Sequence, residues 1–79
     1  MKNHSANEEK NLIGPTVCIL RKNLGMTRPE LSCQLHLEGV HISVSSLSAL
    51  ERQKRKVRDF ELAAIAKVLG ISANDLFPD

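Results

Sequence analysis

Thr27-Arg28-Pro29-Glu30-Leu31, Ser43-Val44-Ser45-Ser46-Leu47-Ser48-Ala49-Leu50-Glu51-Arg52 and Lys54-Arg55-Lys56-Val57-Arg58 mark out one stretch, residues 27–58. Thr27 and Glu30 have the spacing of a capping box, in which hydroxyl and carboxylate each satisfy a free backbone N–H of a helix start. Met26 and Leu31 flank it as a hydrophobic staple. Ser43 repeats the grammar, with Ile42 before it and Leu47 four residues after it. The stretch is therefore predicted to be a capped helix, a connection, a second short helix and a cationic loop. Leu31, Leu35 and Leu37 are expected inward on the first helix, which Gly39 ends, and Leu47 and Leu50 inward on the second.

That assignment leaves Val44, Ser45, Ser46, Ala49 and Arg52 on the outer side of the second helix. Solvated helix faces usually carry Lys and Glu. A face of small residues fits a helix that must approach another body closely, such as the floor of a major groove. The order of elements is that of a helix-turn-helix. Arg52, Lys54, Arg55, Lys56 and Arg58 supply five of the eleven basic residues within seven positions. Such a patch is an electrostatic footprint for an acidic partner. Arg28, in the first turn of its helix beside unpaired N–H groups, is a candidate phosphate contact.

Working outward, Ile13, Val17, Leu20 and Leu24 step by four, three and four, predicting an earlier helix that starts between Leu12 and Pro15 and stops at Gly25. Cys18 and Ile19 fall off that stripe. A later helix is expected over 59–69, with Phe60, Leu62, Ile65, Ala66 and Leu69 inward and Gly70 as its stop. Ser72 and Asp75 open a final turn, and Leu76 and Phe77 are expected to close the core. Residues 1–11 are polar and without apolar periodicity, so they read as an arm; residues 12–79 form the single domain.

The whole chain bounds the answer. Its 79 residues are 42% hydrophobic, lack Trp and Tyr, and contain only Phe60 and Phe77 as aromatics. Short helices packed through Leu, Ile, Val and Ala suit that composition better than a sheet. The net charge is only +2, so the basic loop matters more than the total. No apolar run approaches the ~18 residues of a membrane span, and no charged-then-apolar leader opens the sequence. A cytoplasmic location away from membranes is the expectation. Cys18 and Cys33 are read as unbridged thiols.

With these residues in place, the chain resembles the phage-repressor (lambda-repressor and Cro-like, xenobiotic-response-element type) helix-turn-helix family. The resemblance rests on Ile13-Gly14, Leu20-Arg21-Lys22, Gly25-Met26-Thr27, Glu30-Leu31, Leu47-Ser48-Ala49-Leu50-Glu51, Ile65-Ala66-Lys67-Val68-Leu69-Gly70-Ile71 and Asp75-Leu76-Phe77. It implies a compact five-helix all-α domain that binds operator DNA, usually as a two-fold dimer, in transcriptional regulators. By the same resemblance Val44, Ser45, Ser46 and Ala49 face base edges, and Arg28, Arg52, Lys54 and Arg55 meet phosphates; Lys56, in the same basic run, is expected to join them. Arg21 and Glu51 match a structural pair joining the first and third helices. The chain departs from the commonest pattern in three ways. Its connection through 37–42 is longer, as in a long-loop branch of the family. Gln53 stands where a glycine usually follows the recognition helix. Val44, Ser45 and Ala49 lack the bidentate groups that supply ~1–3 kcal/mol of base discrimination.

Other chemistries find little support. Cys33, His36 and His41 lie close in sequence, but no Cys-x-x-Cys pairing accompanies them, and no metal or cofactor is expected. No Gly-rich phosphate loop, G-x-S-x-G or metalloprotease signature is present, and no enzymatic activity is expected. The competing function is a protein-interaction or antitoxin-like module on the same fold, for which off-stripe Cys18 and Ile19 and the small-residue face of the helix after Ser43 are the cue.

Overall fold

The computed structural model describes residues 9–78. Among them are four α-helices and no strand: α1 (Gly14–Asn23), α2 (Arg28–Leu37), α3 (Val44–Glu51) and α4 (Asp59–Leu69). A short 3-10 turn, Ala73–Leu76, follows. The expected five-helix count is thus corrected to four α-helices and one 3-10 turn. The five residues between Ser72 and Pro78 are too few for an α-helix to form its ladder before proline removes a donor.

Local chemistry sets the starts. The Thr27 hydroxyl accepts the N–H of Glu30 at 3.2 Å while the Thr27 N–H donates to Glu30 Oε1 at 2.8 Å. Ser43 Oγ accepts the N–H of Ser46 at 3.1 Å. All four helices end in the same way, with two backbone N–H···O bonds crossing the last turn: Met26 to Arg21 and Gly25 to Lys22, Val40 to Leu35 and Gly39 to His36, Lys54 to Ala49 and Gln53 to Leu50, Ile71 to Ala66 and Gly70 to Lys67. Such an ending needs a left-handed residue. Gly25, Gly39 and Gly70 supply it for three of them, and Gln53 supplies it for α3 with φ 64°.

α3 packs on α1 and α2, while α4 packs on α1, α2 and the 3-10 turn. Their shared core is Ile13, Val17, Leu31, Leu35, Ile42, Leu47, Leu50, Ala64, Ile65, Ala66, Leu69 and Leu76. Leu20 and Leu62, expected inward, are only partly buried against it, and four others are exposed. Leu24 is 56% exposed because α1 has already ended, and Met26, beyond the reversal, packs on the core instead. Leu37 is 71% exposed, roughly 200° around the helix from Leu35. Phe60 is 54% exposed because the buried stripe of α4 runs through Glu61, Ala64, Ile65 and Leu69. Phe77 follows the 3-10 turn in extended backbone, so only Leu76 enters the core.

The long connection between α2 and α3 is tied down. Ile42 is buried, Val40 packs on the core, and Ser32 Oγ donates to Ile42 O at 2.6 Å. Of the expected arm, residues 1–8 lie outside the described residues. Lys10 and Asn11 are bonded to the body of the protein, as set out below. No helix is long and apolar enough to cross a membrane among the described residues.

Candidate nucleic-acid interface

The placement of α3 begins at its buried end. Glu51 is the last residue of the helix, and its side chain is only 1% exposed. Arg21, on α1, donates from Nε to Glu51 Oε2 at 2.7 Å and from Nη2 to Oε1 at 3.1 Å. Arg28, at the start of α2, donates from Nε to the same Oε1 at 3.0 Å. Arg21 also reaches Met26 O at 2.7 Å, fixing the α1–α2 turn. One carboxylate therefore joins three helices. Burial pushes its pKa upward, but the bonds and charges of the two guanidinium groups prevail and hold it below the ordinary carboxylate value.

Two further residues seat α1 against the same end of α3. A Cβ on Gly14 would lie 2.3 Å from Leu50 O and 2.9 Å from Glu51 O, so only glycine admits this approach. Asn11 Nδ2 donates to Leu50 O at 3.1 Å and to Arg55 O at 2.8 Å, while its Oδ1 accepts the Gly14 N–H at 2.8 Å. The Lys10 N–H donates to Gln53 O, and Gln53 Nε2 donates to Asn11 O at 2.9 Å. A left-handed non-glycine residue costs roughly 1–2 kcal/mol. The side-chain bond of Gln53 offsets about 0.5–1.5 kcal/mol of that.

The outer side of α3 carries none of these ties. Val44 and Ser45 are exposed, and Ser46 and Ala49 are half-buried. The four residues expected to face bases therefore share a helix, its first half more open than its second. Among the described residues the side-chain bonds here are local: Ser43 Oγ caps Ser46 and lies 3.4 Å from Ser45 Oγ.

The five residues expected on phosphates divide. Lys54 and Lys56 are exposed and make no ion pair among the described residues. Arg52 is exposed, with its Nε leaning back on Ser48 O at 3.4 Å. Arg28 has its Nε committed to Glu51 and a side chain 37% exposed, so a phosphate could meet only the open end of its guanidinium. Arg55 is turned away: its Nη2 lies 3.2 and 3.0 Å from the two oxygens of buried Glu61. Burial raises the pKa of Glu61, yet Arg55 and the Arg58 N–H together bring it below the ordinary value. Arg55 thus braces the loop onto α4.

Beside the start of α3, the rings of His36 and His41 meet edge to face with centroids 4.1 Å apart. They share a hollow with Ser32, Ser43 and Ser46. Cys33 is exposed and unbridged, and no three His, Cys, Asp or Glu side chains converge on a metal position among the described residues. Asn11, Gly14, Gln53 and Glu61 were not singled out as tying residues from the sequence. Asn11 carried a signal, since an Asn side chain readily accepts the backbone N–H three residues further on, here that of Gly14. The Arg55–Glu61 pair had none.

Comparison with known proteins places this geometry. A family model described as Helix-turn-helix matches residues 19–76. No curated protein matches the sequence significantly. Among solved structures, hydroxypropylphosphonic acid epoxidase from S. wedmorenis superposes over 91% of this chain with a TM-score of 0.72 and 22% identity. The chain spans 36% of that enzyme, and at this identity the likeness is one of fold alone.

Proposed function

Because the chain belongs to the helix-turn-helix family, we propose that it binds duplex DNA sequence-selectively and regulates transcription, as a repressor-like protein. In this reading α3 lies in the major groove with Val44, Ser45, Ser46 and Ala49 toward base edges. Lys54, Lys56, Arg52 and the open end of Arg28 meet phosphates. The carrying observation is the contrast on α3 between an outer side of small residues and an inner end locked by Glu51. Direct readout is modest, because none of Val44, Ser45, Ser46 and Ala49 carries a bidentate group. Phosphate contacts and DNA shape carry a larger share.

The test starts from sites selected out of a random duplex pool, with affinity then measured against salt. Each neutralised phosphate contributes ~0.9 to the slope of log affinity against log salt, so a slope of about −3 to −4 per protomer is expected. Lys54→Ala should weaken all sites alike and flatten the slope by about one phosphate. A salt-independent affinity would sink the proposal.

The family's two-fold habit extends the reading to a homodimer with half-sites about 34 Å apart or a multiple of it. Sedimentation of the chain with its selected duplex tests this, and a one-to-one complex on a two-half-site duplex would refute it. A protein-partner or antitoxin-like reading draws on Ile19 on α1 and Leu24 just past its end, large apolar side chains left in solvent. A partner retained after nuclease treatment, and lost on Ile19→Asp, would favour it.

A further inference from the structure

We propose that the groove between the N-terminal segment and the loop after α3 binds a small organic anion with an apolar body. Its volume is about 300 Å³, at the lower end of small-molecule sites. Leu12, Val57, Leu62 and Phe77 supply apolar walls, and Lys10 and Lys56 line it with positive charge. No Asp or Glu lines it among the described residues. Leu12 and Phe77 remain about half exposed, so an occupant would remove apolar surface from water that the fold itself leaves wet. The two lysines disfavour a cation and prefer an anion over a neutral molecule of the same shape.

The walls are held before any ligand arrives. Asn11 ties its segment to Leu50 O and Arg55 O, and the Lys10 N–H is bonded to Gln53 O. Pre-ordered walls lower the cost of binding. The lining is one short chain crossing opposite residues 56–57, capped by Phe77, which suits a short carboxylate better than an extended acidic peptide. The groove shares Lys56 with the DNA reading, but Lys10 and its apolar residues lie apart from the outer side of α3.

The experiment is titration of the isotope-labelled full chain with sodium hexanoate, followed by NMR, with 1-hexanol as the uncharged control. Saturable shifts at Leu12, Val57, Leu62 and Phe77 are expected, with a roughly millimolar dissociation constant for so small a ligand. Hexanol should bind about three- to tenfold more weakly, and Lys10→Gln should narrow that gap. Phe77→Ala should weaken both ligands, with circular dichroism to verify the fold. Absence of saturation, equal affinity for acid and alcohol, or shifts centred elsewhere would overturn the proposal. So would groove resonances that move with protein concentration alone, because a second copy would then be the occupant.

Discussion

The two sides of α3 follow opposite rules. Toward the core, Leu47, Leu50 and Glu51 are buried, and Glu51 is held by guanidinium groups from two other helices. Toward solvent, Val44, Ser45 and Ser46 make only local side-chain bonds or none among the described residues. A helix that must enter a groove at a fixed angle gains its orientation from the first side. It gains freedom to vary its contacts from the second. The inner side should therefore tolerate almost no substitution and the outer side almost any, as far as folding is concerned.

The largest effect should come from Glu51→Ala. It leaves Arg21 buried without its partner, a situation that costs about 3–5 kcal/mol, and urea denaturation should register that loss. A mutant losing under 1 kcal/mol would show that the inner end is not the anchor. Gly14→Ala comes next. Its methyl group would press on two carbonyl oxygens of α3, and overpacking of this kind costs about 1–3 kcal/mol. Unchanged stability there would mean that α1 can back away from α3 freely.

Acid should expose the same anchors more gently, because protonation keeps the side chains in place. Glu51 and Glu61 both titrate below the ordinary carboxylate value in the folded chain. Their ionised forms therefore stabilise the fold fully above the unfolded value of about 4.3, and that contribution disappears as pH falls through the lower folded values. Thermal midpoints should drop steeply below about pH 4.5, and Glu61→Gln should make the drop shallower. A flat acid limb would contradict the roles given to these two carboxylates. The smallest effect belongs to the outer side. Ser45→Ala should change stability by less than about 0.5 kcal/mol while altering the preferred sequence in a duplex selection. A change in stability without a change in preference would reverse the comparison drawn here.

Much of this was legible in the chain itself. Thr27 with Glu30, Ser43 ahead of Leu47, and glycines at 25, 39 and 70 mark helix starts and stops, because caps depend on groups within a few residues of one another. The apolar steps through Val17, Leu31, Leu35, Leu47, Leu50 and Ile65 marked the core for a similar reason, since periodicity is a local property. The resemblance also named Arg21 with Glu51, although it could not tell how deeply the pair lies.

Other features were settled only when distant segments met. Leu24, Leu37, Phe60 and Phe77 are as apolar as their buried neighbours, and packing decided that Glu61 would turn inward while these stayed out. Arg55 belongs by sequence to a cationic run, yet it faces Glu61 across a loop that no spacing rule describes. Asn11 gains its meaning from carbonyls about forty positions away, and Gly14 from the backbone of a helix that folds against it. Sequence determined where this chain's helices begin and end because capping and amphipathic patterning act over a few residues. Tertiary structure decided which charges are spent inside and which remain available outside, because that depends on pairs whose members are far apart along the chain.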